Sequence, residues 1–248
     1  MIDTHAHLDA AGNGAGALVE RARKAGVTRV VAVGSGIDSC RATLALADEH
    51  EGVYAALGVH PHQAASEDAA RLDELRRLLG HERAVAVGET GLDFFRDYAP
   101  RDDQRRLFER QLDLASELRK PVVVHARAAD DETARVLESF EGTVVLHCFS
   151  SPPLLAVALE RGYFVSFAGN VTYPNASDLR AAAVAVPADR ILAETDTPYL
   201  APQPVRGREN EPANVVHTLE ALAQARGEEP DELETQIERN AAAAFGLP

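Results

Sequence analysis

Near its N-terminus the chain reads Asp3-Thr4-His5-Ala6-His7. Side chains two apart on a strand point the same way, so His5 and His7 face one space together. Two imidazoles so placed suit a divalent metal, but the pair alone reads as readily as two surface histidines. Four further runs change those odds. Glu89 follows Ala84–Gly88, His125 ends Pro-Val-Val-Val-His, His147 ends Thr-Val-Val-Leu-His, and Asp196 ends Ile-Leu-Ala-Glu-Thr-Asp. Each stands just beyond an apolar strand. Five separate strand ends that all finish in metal-binding residue types point to one centre.

Four histidines and two carboxylates are too many for a single catalytic zinc, which takes three protein ligands and an open position. They suffice for two ions if a carboxylate bridges them. Paired ions about 3.5–4 Å apart stabilise the attacking and leaving oxygens of phosphoryl transfer. Mixed imidazole and carboxylate ligation suits zinc, manganese or, less comfortably, magnesium.

These residues must be positioned by the elements that precede them. Strands are expected over Ile2–Thr4, Val27–Val33, Val53–Leu57, Ala84–Val87, Val122–Val124, Thr143–Leu146, Tyr163–Ser166 and Arg190–Ala193. Helical patterns lie between them, as in Asp102–Arg119, where Leu107, Leu112, Leu114 and Leu118 form an apolar stripe among charges. The second and fifth runs are apolar without alternation, as strands buried on both faces are. Eight strand–helix units fit an α/β fold of the TIM type: a closed barrel of parallel strands with the metal site at its C-terminal rim. A doubly wound open sheet is the alternative. Against it, the first strand–helix turn carries histidines and no glycine-rich phosphate loop. No repeat or long linker divides residues 1–248, so one domain is expected. Pro198–Pro212, with four prolines, is expected to be an irregular loop over the active face, followed by two helices separated near Gly227–Pro230.

The 248 residues are 46% hydrophobic and 26% charged, which is enough apolar material for a sizeable core. No apolar run is long enough to cross a bilayer, so no membrane partner and a cytoplasmic location are expected. Cys40 and Cys148 are far apart and read as reduced thiols. The net charge of −14 is wrong for a protein that coats itself on duplex DNA, so any attraction for phosphate has to be local. Nothing points to an obligate protein partner.

The runs DTHAHLD, GVHPH, GETGLDFF, PVVVHAR, LHCFS, SFAGNVTY, ETDTPYLAP and RGRENEP, in this order, resemble the TatD family of metal-dependent deoxyribonucleases, a branch of the amidohydrolase-type barrel enzymes. The resemblance runs from Asp3 to Phe245-Gly246. It implies that His5, His7, Glu89 and Asp196 hold one ion and that Glu89, His125 and His147 hold a second, with Glu89 as the bridge. It also implies that Asp196 orients the attacking water and accepts its proton, which makes Glu89 and Asp196 the catalytic pair. His60 and His62 would lie near the site without binding metal, in a phosphate-contacting element. Two places depart from the family pattern: Ala126 stands where Ser is common, and the pair Ser151-Pro152 where Gly-Ser is common.

Physically, His60 or His62 could donate to a phosphate oxygen or protonate a leaving group. Arg127 could clamp phosphate through its guanidinium fork, or pair with Asp130 or Asp131. Arg206, with Arg208, would form a positive rim. Glu194 faces the same side as Asp196 and could support a ligand; Asp93 could face substrate or cap a turn. Alternation turns Cys148 away from His147, into packing. Phe94, Phe95, Tyr98, Phe149, Tyr173 and Tyr199 offer stacking surface for a base or two. A DNA end or a short single strand is therefore the expected substrate. Hydrolysis of a small amide, lactone or phosphoester is the alternative, because the same ions polarise a carbonyl as readily. A non-catalytic metal-binding module is a third reading, disfavoured by the full ligand set.

Overall fold

The computed structural model describes residues 1–11, 14–96 and 98–248. Its eight strands are β1 (Ile2–Ala6), β2 (Arg29–Gly34), β3 (Val53–Leu57), β4 (Ala84–Asp93), β5 (Val122–Arg127), β6 (Val144–Leu146), β7 (Phe164–Phe167) and β8 (Ile191–Ala193). All pair in parallel, each with its neighbour in sequence. An unbroken sequential order excludes the doubly wound sheet, which reverses its strand order at a switch point.

The sheet curls until its first and last strands meet. Ala6 bridges Thr197 in parallel, His7 N–H donates to Thr197 O at 2.8 Å, and Asp196 N–H donates to His5 O at 3.0 Å. Inside the seam the Thr4 hydroxyl donates to Ala193 O. The result is a nearly closed TIM-type barrel with its strand C-termini at one rim.

The helices α1 (Ala15–Lys24), α2 (Ile37–Glu49), α3 (Leu72–Leu79), α4 (Arg101–Leu118), α5 (Asp130–Leu137), α6 (Pro152–Arg161) and α7 (Ser177–Ala185) fill the connections, and α8 (Val215–Arg226) and α9 (Pro230–Phe245) follow β8. The turn between α8 and α9 falls where Gly227, at φ 68°, was expected to break the pattern. Helix α4 shows how the packing works. Leu107, Phe108, Leu112, Leu114 and Ala115 are buried against the barrel, and a side chain such as Phe108 contributes about 1.5–3 kcal/mol when fully buried. Gln104 and Gln111 lie on the same buried stripe. Gln104 accepts from Asp93 N and donates to Asp93 O, while Gln111 accepts from Val59 N and donates to Val59 O and the Thr90 hydroxyl. One helix thus fixes the rim ends of β3 and β4. No described helix is long and apolar enough to cross a membrane.

Candidate metal centre

Two strands run farther than their apolar stretches suggest. β4 continues through Glu89 to Asp93, and β5 through His125 to Arg127. Glycines make the extension of β4 possible. Gly91 pairs with His125 at φ 130°, and a Cβ there would lie 2.1 Å from His125 O. Only glycine lets the two backbones approach so closely. His5 lies in β1 and His7 just past it, while His147 immediately follows β6. Asp196 adopts a left-handed backbone (φ 58°), which costs about 1–2 kcal/mol and is best tolerated by Asn, Asp and Gly. The turn brings its carboxylate to the barrel mouth beside His7.

All six expected ligands converge. His5 Nε2 and His7 Nε2 are 3.3 Å apart; Glu89 Oε2 lies 3.7 and 3.4 Å from them, and Asp196 Oδ1 3.9 and 3.7 Å. These separations surround about 3.4 Å, the edge of a tetrahedron built on metal–ligand bonds of about 2.0–2.1 Å. On the other side, Glu89 Oε1 is 2.9 Å from His125 Nδ1 and 2.8 Å from His147 Nε2, which are 3.4 Å from each other. The two oxygens of one carboxylate therefore face two separate histidine sets. The donor atoms fit divalent ions in number, type and spacing.

The far nitrogens of the imidazoles separate ligand from donor. His147 Nδ1 lies 3.3 Å from Glu194 Oε1, which also accepts from Cys148 N. His125 Nε2 lies 3.3 Å from Asp93 Oδ2. A carboxylate can only accept, so it holds the ring proton on the far side and leaves the near nitrogen free for an ion. His60 is the reverse case. Its Nε2 lies 3.4 Å from Glu89 Oε1, close enough to group with Glu89 and His125 as a possible ion-binding set. Its Nδ1, however, accepts from the His62 backbone N–H. The proton of neutral His60 must then sit on Nε2, and burial, which pushes its pKa down to about 4, keeps the ring neutral. His60 is a hydrogen-bond donor aimed at the centre.

The electrostatics are those of acids and imidazoles packed together out of water. Burial pushes Asp196 up to about 7 despite His147 and His7. Burial also opposes ionisation of Glu89, yet His147, His60 and His125 hold it well below the ordinary carboxylate range. Burial would lower His147, but Glu89 and Glu194 raise it well above its usual value. Burial and the neighbouring His147 push His5 down to about 4, and its Nδ1 has no partner.

Around this cluster is a cavity of about 710 Å³. Asp93 caps the turn, as one of its two expected roles had it, and also meets two histidines. Its Oδ1 caps the turn at Phe95 N and Arg96 N, and its Oδ2 meets His62 Nε2 at 2.8 Å and His125 Nε2. Arg127 lines the cavity and is not paired with Asp130 or Asp131; its guanidinium lies 4.2 Å over the Phe95 ring. Arg206 stands outside the cavity wall, 3.9 Å over Tyr173. Of the expected stacking residues, Phe95, Tyr98 and Tyr199 are exposed, whereas Phe149 is buried and Phe94 half-buried.

Cys148 corrects the expectation from strand alternation. β6 ends at Leu146, and Cys148 is left-handed (φ 46°), so alternation no longer applies and the residue lines the cavity. Burial and the carboxylates of Asp196, Glu194 and Glu89 hold its thiol well above its usual pKa. The reading of the sequence also passed over Asp3. It is buried beneath His5 and accepts from His5 N, Thr195 N and the Thr195 hydroxyl, clasping β1 to the Asp196 turn. A charged residue two before a buried ligand on the same strand was the available signal.

A parallel barrel with a histidine–carboxylate cluster at its C-terminal rim defines the chain as a metal-dependent hydrolase of the barrel class. The family model of TatD related DNase matches residues 2–246, and the chain belongs to that family. An uncharacterized metal-dependent hydrolase named TatD from Mycobacterium tuberculosis is 42% identical over 100% of this chain and 98% of its own length. A 3'-5' ssDNA/RNA exonuclease TatD from Cronobacter sakazakii is 37% identical over 92% of this chain and 90% of its own. The crystal structure of YJJV, a TatD homolog from Escherichia coli, superposes with a TM-score of 0.93 at 32% identity, covering 100% of this chain and 98% of that one.

Proposed function

We propose that this hydrolase is a deoxyribonuclease that removes nucleotides from an exposed end of DNA, working in the cytoplasm as one barrel domain over residues 1–248. The observation that carries the reading is the double-facing carboxylate of Glu89, one oxygen toward His5 and His7 and the other toward His125 and His147. His5, His7, Asp196 and Glu89 would hold one ion, and Glu89, His125 and His147 the other. Zinc, manganese or magnesium bound there would polarise a phosphoryl oxygen and ease deprotonation of water at neutral pH.

The chain's own groups supply the rest. Asp196, at the mouth beside His7, would orient the attacking water and accept the proton it gives up. His60 donates its Nε2–H to a phosphate oxygen, and His62, steadied by Asp93, stands beside it. Arg127 and Arg206 offer positive charge near the mouth of an otherwise acidic protein. The relatives named as single-strand exonucleases support a nucleic-acid substrate.

The test is to strip the metal with a chelator and restore zinc, manganese and magnesium in turn. Single-stranded DNA, duplex DNA and a panel of amides and lactones are then assayed in parallel. Metal-dependent loss of nucleotides from one end is expected. Turnover confined to the amides and lactones would sink the nuclease reading in favour of small-molecule hydrolysis.

A further inference from the structure

Among the arginines seated over aromatic rings in the described residues, two near the mouth lie closest to theirs, at 4.2 and 3.9 Å. Arg127, the last residue of β5, lies over Phe95 in the loop after β4; Arg206, in the loop after β8, lies over Tyr173 in the loop after β7. The candidate metal centre lies between the two loops, with His147 after β6 and Glu89 on β4. Among the described residues neither guanidinium is paired with a carboxylate, although the chain carries 39 acidic residues against 25 basic ones. Most other arginines near a carboxylate take it, as Arg71, Arg76 and Arg105 do.

A ring beneath a guanidinium fixes its plane and leaves its N–H edges open for an anion. The Tyr173 ring is anchored through its hydroxyl, and the backbone that carries Phe95 through its N–H. The Tyr173 hydroxyl donates to Ala201 O at 3.0 Å, and Phe95 N–H is tied to Asp93. Phe95 is 62% exposed, as are Tyr98 at 64% and Tyr199 at 58%, so the same rim carries uncovered ring faces. An exposed ring there gains nothing from the core, but it offers a base a flat partner.

We propose that Phe95 and Tyr173 hold Arg127 and Arg206 as two separate backbone grips, so that the preferred substrate is a single strand long enough to reach both. The proposal rests on the nuclease reading and sharpens its substrate class to an oligonucleotide. A lone diester or a dinucleotide engages the centre alone; a longer strand engages both grips. Charge attraction is then concentrated at two points, which is how an acidic protein can still select a polyanion.

The experiment measures kcat/KM of the metal-loaded enzyme on single-stranded DNA from dinucleotide to decanucleotide, with bis(p-nitrophenyl) phosphate as the minimal diester. The wild-type value should rise with length and then level off. Phe95→Leu and Arg206→Gln, both at exposed positions, should each lower the ratio of decanucleotide to dinucleotide kcat/KM by roughly tenfold, as expected for loss of a charged contact. Arg206→Gln should also flatten the salt dependence of decanucleotide binding by about 0.7 in log–log slope, the share of one single-strand phosphate. A wild-type rate independent of length, or variants that slow both substrates equally, would overturn the two-grip model and leave the nuclease reading standing. If no strand is cut at any length while small amides or lactones are, the nuclease reading itself falls, and this proposal with it.

Discussion

The two halves of the candidate centre use the same residue types but are held by different means. In the half formed by β1 and β8, His5, His7 and Asp196 are placed by backbone. His5 O and Asp196 N bond across the seam, as do His7 N and Thr197 O, and Asp3 clasps both sides. Among the described residues nothing steadies the far nitrogen of His5. In the half formed by β4, β5 and β6, side chains do this work: Asp93 meets His125 and Glu194 meets His147. Glu89 joins the halves, and the His5 and His147 rings stack at 3.9 Å across the boundary. Position in the first half depends on barrel closure, whereas ring orientation and basicity in the second depend on buried carboxylates.

The largest effect should come from the residue that both halves share. Glu89→Gln keeps the shape but halves the charged oxygen supply. It should lower turnover more than about 100-fold, beyond the upper end expected for an outer carboxylate. Steady-state rates and metal content by atomic emission check this. Unchanged turnover would remove the shared carboxylate from the model. Glu194→Gln should act on one half alone. Its amide oxygen can still accept from His147, but the charge that raises ligand basicity is gone. Affinity for one ion should fall about 10–100-fold while the other is retained, read by chelator competition. Equal weakening of both ions would erase the distinction between the halves.

The contrast also explains what the sequence could reveal. The candidate ligands were legible because most of the strands that carry them are apolar runs followed closely by an acid or a histidine. The length of β4 was not, because Gly88 and Gly91 read as turn residues until the close approach of β5 gives them another reason. Spacing put Glu194 on the ligand face of β8, but no spacing tells which imidazole nitrogen it will meet. The donor role of His60 depends on where one backbone N–H of a short 3₁₀ turn points, and that is set by tertiary packing. Gln104 and Gln111 look like solvent-facing helix residues by type, yet they share the apolar stripe of Leu107 and Leu114. The expectation for Cys148 failed because alternation was extended two residues past the strand that justified it.

The smallest expected effect concerns Asp3, the clasp of the β1/β8 half. Burial pushes its carboxyl up to about 8, outweighing the bonds from Thr195 and His5 N. In the unfolded chain an aspartate titrates near about 3.9. Between these values the folded metal-free protein keeps a proton that the unfolded chain has lost, so the contribution to stability falls as pH rises and is level above the folded value. Asp3→Asn cannot ionise. Its Oδ1 still accepts from His5 N and Thr195 N, and its amide can donate to the Thr195 hydroxyl, which can pass its own proton to Thr197, 2.6 Å away. Urea midpoints of the two metal-free chains should therefore diverge as pH rises through neutrality, with the variant gaining. Asp196, raised in the same way, titrates in both chains, so the difference isolates Asp3. Parallel curves would mean that the seam is clasped by an ionised carboxylate, bringing this half closer in kind to the other.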